Sequence, residues 1–291
     1  MGEGREVGWI ALVEFKKGEA NPMTTAIVET ITAKLKRVFM REDATYDYYS
    51  AKYQAKTPLG KLAYLSLYLL PGILAFIVVN IGPLFRWEMA LTGWSARYVQ
   101  YAWVLIITFG WHIFMPFIVL RYVDKLPLRE SCAFVGLNRV DWRGLLTVLP
   151  VFMAGFAILS LPYVKYVAPV IEGWTKTIPL FRIPSYSIFQ DTPENIYSFP
   201  PIALLFLGIG NFLGEELYFR GYLMKKSAFL GEANWTVNSV LFGLYHVWQV
   251  QQTWPLIGLI LMFGLLMKLR KDLWVMVGFH FFVNMWMAYG T

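Results

Sequence analysis

Pro200-Pro-Ile-Ala-Leu-Leu-Phe-Leu-Gly-Ile-Gly-Asn-Phe-Leu-Gly214-Glu215-Glu216-Leu-Tyr-Phe-Arg220 runs without a charge as far as Gly214, then places two carboxylates and an arginine on one helical stretch. The apolar run is of the kind that crosses a membrane, where an ionisable side chain costs about 2.5–3.5 kcal/mol even on lenient insertion scales. Such groups face a partner or a water-filled cavity, and they mark a site. The three histidines of the chain, His112, His246 and His280, also lie inside apolar segments. Carboxylates, a guanidinium and imidazoles are therefore expected to share the lipid-depth interior.

The rest of the chain places this stretch in a polytopic membrane protein. With 57% hydrophobic and 15% charged residues, the composition is too apolar for a soluble domain of 291 residues. The expected fold is all-α, a polytopic transmembrane bundle of about seven spans. A net charge of +7 could signal nucleic acid, but the basic residues flank apolar segments rather than forming a binding motif. The anionic partner is the lipid bilayer, and no nucleic acid is expected. Cys132 is the single cysteine, so no internal disulfide can form.

Lys61 to Arg86, Arg97 to Arg121 and Arg143 to Lys165 bracket three charge-free stretches long enough to span a bilayer. The fourth span runs from about Pro200 toward Leu223. Between Glu232 and Lys268 the uncharged stretch is too long for one crossing and carries Gln249, Gln251, Gln252, Thr253 and Pro255 in its middle. That pattern predicts two short helices joined by a tight turn. Leu273 to about Tyr289 is the seventh span.

Basic residues alternate between rich and poor connections in the way the positive-inside rule requires. Lys52, Lys56 and Lys61 precede span one, and Arg121, Lys125, Arg129, Arg139 and Arg143 lie between spans two and three. Lys225 and Lys226 follow span four, and Lys268, Arg270 and Lys271 precede span seven. The N-terminus is expected in the cytoplasm and the C-terminus outside.

Residues 1–60 read as a cytoplasmic segment and 61–291 as the transmembrane domain. Met1 to Ala20 lacks the uninterrupted apolar core of a signal peptide, and Glu6 breaks a myristoylation motif. Pro22 to Arg41 sets Ile27, Ile31, Leu35 and Val38 on one side, with Lys34, Lys36, Arg37 and Arg41 toward its end. This pattern suits an interfacial helix or a contact with a membrane-protein partner. Tyr166 to Pro200, rich in Pro, Tyr and Ser, is expected to cover the bundle as a loop or lid.

Residues four apart on a helix share a face, so Glu216 and Arg220 can pair and neutralise each other. Glu215 points about 100° away and is left without that partner. In the next span Phe242 and His246 share a face, and in the last His280 and Asn284 do the same. A cavity among these spans would bring Glu215, His246, His280 and Asn284 together. His112 has no partner at helical spacing and reads as structural.

Three motifs, Glu215-Glu216-x-x-x-Arg220, Phe242-x-x-x-His246 and His280-x-x-x-Asn284, occur in order within membrane helices. In this the segment from Pro200 to Thr291 resembles the CPBP family of CAAX prenyl proteases and bacteriocin-processing membrane enzymes. The resemblance implies an intramembrane glutamic endopeptidase acting on a membrane-associated polypeptide, lipidated or hydrophobic. It implies Glu215 as general base, His246 as its partner, and His280 with Asn284 as the oxyanion donors. Glu216, Arg220 and Phe242 would support them, with no cofactor and no metal.

Two other readings stand beside it. One Glu and two His could supply three zinc ligands, although no His-Glu-x-x-His spacing appears. A scaffold or immunity-type membrane protein could keep the fold without the chemistry, although the intact Glu, His, His, Asn set argues against it.

Overall fold

The computed structural model describes residues 22–181 and 200–290. The readings made of Met1 to Ala20, and of 182–199 within the expected lid, lie outside these residues. The chain divides into two compact units, Met1–Arg41 and Glu42–Thr291. In the first, helix α1 (Pro22–Phe39) has Val28, Ile31, Leu35 and Val38 exposed and Lys36 and Arg37 in its last turn.

The second unit is helical throughout its regular structure, with no strand among the described residues. Helix α2 (Ala44–Tyr53) starts at Asp43, whose side chain accepts from the Tyr46 N–H at 2.8 Å. Next, α3 (Pro58–Asn80) starts with Thr57 accepting from the Gly60 N–H, and Pro58 occupies the first turn, where a missing N–H costs nothing. The chain continues through α4 (Gly82–Thr92), α5 (Ala96–Tyr122), α6 (Leu128–Val135), α7 (Gly144–Tyr166) and α8 (Ala168–Thr177). Then come α9 (Pro201–Lys226), α10 (Asn234–Tyr245), α11 (Ile257–Arg270) and α12 (Leu273–Tyr289).

Five helical stretches are long and apolar enough to cross a membrane, the last being Ala228–Arg270, and α12 is a shorter apolar helix. The chain is an integral membrane protein. Ala228–Arg270 is not one rod: α10 and α11 fold onto each other, and the connection between them carries the glutamines. The Gly264 N–H donates to Ser239 Oγ at 3.0 Å across this hairpin, where a Cβ on Gly264 would collide with the Trp235 carbonyl.

Several sequence readings change. The first spanning helix ends at Asn80, so Arg86, which bracketed its charge-free stretch, lies on the separate helix α4, and Cys132 lies on the short helix α6. Part of the expected lid, Ala168–Thr177, is helical. Lys225 and Lys226, read as loop residues, end the site-bearing helix α9 and are buried, each at 1% exposure.

Side-chain polarity ties the helices together where apolar surface alone gives lipid no reason to leave. Tyr68 of α3 holds Ser227 at 3.0 Å and receives the Asn238 amide of α10 at 2.9 Å, while that amide also donates to the Phe219 carbonyl of α9. Trp286 of α12 donates to Ser160 of α7 at 2.9 Å, and Tyr101 of α5 donates to the Ala203 carbonyl of α9 at 2.6 Å.

Close approach of α9 to α5 depends on two glycines four apart. A Cβ on Gly210 would meet Thr108 Oγ1 at 2.6 Å, and one on Gly214 would meet the Thr108 carbonyl at 2.5 Å. This small-x-x-x-small face seats α9 backbone against backbone. Around Glu215 the helix widens: Ile209–Gly214 and Leu217–Leu223 are π-helical. Such segments recur at functional sites because the wider turn re-aims side chains.

Candidate active site

Glu215, Glu216 and Arg220 lie at the middle of α9, exposed by 2%, 0% and 0%, so whatever balances their charge must be protein or a small enclosed volume. Arg220 Nη1 donates to Glu216 Oε1 at 3.2 Å, the pair expected from the four-residue spacing. The guanidinium also lies 3.9 Å from the centre of the Phe242 ring and 5.1 Å from that of Phe263. A desolvated cation over aromatic faces gains about 2 kcal/mol, which gives Phe242 a physical role beyond filling space.

Two histidines converge on the remaining carboxylate. His246 is the first residue past the end of α10, in a 3₁₀ turn, and its Nδ1 lies 2.8 Å from the Phe242 carbonyl. A carbonyl only accepts, so Nδ1 donates and Nε2 is the free acceptor of the neutral ring. That Nε2 stands 3.9 Å from Glu215 Oε2. His280 of α12 places Nδ1 2.8 Å from Glu216 Oε1 and Nε2 4.0 Å from Glu215 Oε2. Glu216 Oε1 thus accepts from both Arg220 and His280. Glu215 Oε2 has no hydrogen-bond partner among the described residues. Separations near 4 Å are too long for direct hydrogen bonds and of a size that a water bridges.

Both histidines line a cavity of about 270 Å³ with Asn284, Phe242 and Phe263. Of the expected four, His246, His280 and Asn284 line this cavity, while Glu215 stands behind the two histidines and is not part of its lining. Sequence reasoning missed Asn211, Gln249, Gln252 and Thr253, which line the same cavity. Asn211 carried one signal, a position four residues before Glu215; the others were read only as marks of a turn.

His112 stands outside this lining. Its ring stacks on Tyr218 at 4.9 Å and meets the edges of Phe219 and Tyr245, an aromatic filling between α5, α9 and α10. Ser239 is engaged in the hairpin, donating to the Trp235 carbonyl at 3.0 Å. Among the described residues, no group of three or more His, Cys, Asp or Glu side chains is arranged to hold a metal ion.

Residues 197–286 match the family model described as type II CAAX prenyl endopeptidase Rce1-like, a match consistent with the CPBP family. The matched segment holds all three motifs and less than half of the chain. It supports a membrane-embedded protease of CAAX type in general terms. No curated protein and no solved structure matches the chain.

Proposed function

We propose that this chain is an intramembrane endopeptidase in which Glu215 activates water to hydrolyse a peptide bond of a membrane-associated polypeptide. One observation carries the reading: Glu215 Oε2 lies 3.9 and 4.0 Å from the Nε2 atoms of His246 and His280, two histidines that line one cavity. A water between these groups gives its proton to Glu215 while its oxygen bonds to the scissile carbonyl carbon. As the C–N bond breaks, that proton passes to the departing amine, with the bare Nε2 of His246 able to relay it.

The oxyanion takes hydrogen bonds from Asn284 and from His280. Because Nδ1 of His280 is directed at Glu216, Nε2 donates only when the ring carries both protons. Preorganised donors of this kind are worth about 2.7–4 kcal/mol each in a dry site.

The substrate is lipidated or simply hydrophobic, and a prenylated peptide is the class named in the family description. The alternation of basic connections supports a cytoplasmic N-terminus and an outer C-terminus. The exposed apolar side chains of α1 support a membrane-surface role for that helix, within a cytoplasmic segment 1–60 ahead of the 61–291 protease domain.

The test is comparative proteomics of cells carrying wild-type protein or Glu215→Gln, looking for a peptide that accumulates uncleaved. Cleavage that persists in the variant overturns the reading in favour of a scaffold. Activity lost to a chelator and restored by zinc would replace the metal-free scheme.

A further inference from the structure

We infer that Asn211 and Gln249 are substrate-positioning residues whose carboxamides hydrogen-bond the main chain of an unwound, uncharged segment next to the scissile bond. The inference rests on the peptidase reading above. A helical substrate satisfies its own backbone, so its bonds are shielded until it opens. Once opened at membrane depth, each unpaired N–H or C=O costs several kcal/mol unless the protein supplies a partner. A carboxamide carries donors and an acceptor together, and can pair with either group of a peptide bond without bringing a charge.

The cavity is built in this way. Its described lining holds Asn211, Gln249, Gln252, Thr253 and Asn284 among apolar side chains, and no Lys, Arg, Asp or Glu. The polar residues of the α10–α11 connection divide their tasks. Gln251 is structural, donating to the Phe181 carbonyl at 3.1 Å, while Gln249 lines the cavity. Between α10 and α11 the chain runs through short 3₁₀ and α turns from His246 to Leu256 and leaves helical geometry at Gln249, and a broken helix of this kind is tolerated in a membrane protein where it lines a cavity.

Asn211 comes from a different element, α9. Gly210 and Gly214 press α9 against Thr108, and Asn211 between them lines the cavity. Its neighbour Phe212 sets its ring edge-on to His280 at 5.6 Å. The two carboxamides therefore share one cavity with the imidazoles and reach it from two different elements, which gives an opened chain two separate points of attachment.

The experiment uses full-length protein in proteoliposomes and an internally quenched peptide of uncharged apolar residues, with and without an S-farnesyl cysteine. A matched series replaces, one at a time, each backbone amide flanking the cleaved bond by an ester. Asn211→Leu and Gln249→Met are expected to raise KM up to about tenfold on the all-amide peptide, with kcat changed less. One ester should cost the wild type a similar factor and cost the matching variant nothing more. A purely structural role would not produce that non-additivity. Should Asn211→Leu fail to fold, Asn211→Ser and Gln249→Met carry the test.

Esters that penalise the variants as much as the wild type, or variants with wild-type kcat/KM, overturn the inference while leaving the peptidase standing. Persistent cleavage by Glu215→Gln instead overturns the peptidase reading, and this inference with it.

Discussion

Glu215 and Glu216 are adjacent in sequence and opposite in circumstance. Glu216 accepts from Arg220 and from His280, whereas Glu215 Oε2 meets only two imidazole nitrogens near 4 Å. Substitution should separate them by sign. Glu216→Gln leaves a buried guanidinium without its counter-charge and should cost about 3–5 kcal/mol, read as a lower unfolding midpoint in detergent micelles. Glu215→Gln removes a buried carboxylate that has no partner, so the midpoint should hold or rise while cleavage is lost. His246→Ala should lower kcat about 10²–10⁴-fold, measured on a peptide the wild type cleaves, with the protein still folded. The Glu216–Arg220 pair was legible because four-residue spacing aligns side chains on one helix. The Glu216–His280 bond was not, since no local pattern tells which of two neighbouring carboxylates a distant histidine will meet. Hence His280 was expected with Glu215, His246 and Asn284, and its bond to Glu216 came from the fold.

At the level of helices, charge-free stretches between basic residues marked the spans, and the glutamines near Pro255 marked the α10–α11 reversal. What the pattern could not show was helix width. Ile209–Gly214 and Leu217–Leu223 bond over five residues instead of four, a choice made by packing against α5 and α10 and leaving no periodic trace in the sequence. Two predictions belong here. Gly214→Val should drive a side chain into the Thr108 carbonyl, costing about 1–3 kcal/mol in micelle unfolding and displacing Glu215 from the histidines. Deleting one residue within 211–213 should let the π segment relax to α-helix with Glu215 still in phase, whereas inserting one alanine between Leu213 and Gly214 should turn Glu215 by about 100° relative to the helix ahead of it. The insertion variant is therefore expected to enter membranes yet cleave nothing, checked by carbonate-resistant membrane association alongside peptide turnover.

Across the whole molecule, one end of the bundle is an ionic layer. Lys226 Nζ bonds both oxygens of Asp124 at 2.7 and 2.6 Å, and the Ala55 N–H donates to the Lys226 carbonyl at 3.0 Å. Lys225 Nζ donates to the Gly221 carbonyl and lies 4.3 Å from the centre of the Tyr46 ring. Arg139 pairs with Asp43, Arg270 with Asp141, and Lys271 with Asp47. Asp124→Asn should cost about 1.5–3 kcal/mol, and limited trypsin digestion should then cut between α2 and α3 sooner. These are the lysines and arginines whose distribution suggested the orientation of the chain. During synthesis they are met one by one as bare cations, which is when a translocation machinery reads them. After folding, aspartates and tyrosine rings occupy several of them. The finished protein thus presents fewer bare cations to phosphatidylserine than its 26 lysines and arginines would offer singly, and vesicle titrations across ionic strength should show a correspondingly shallow dependence.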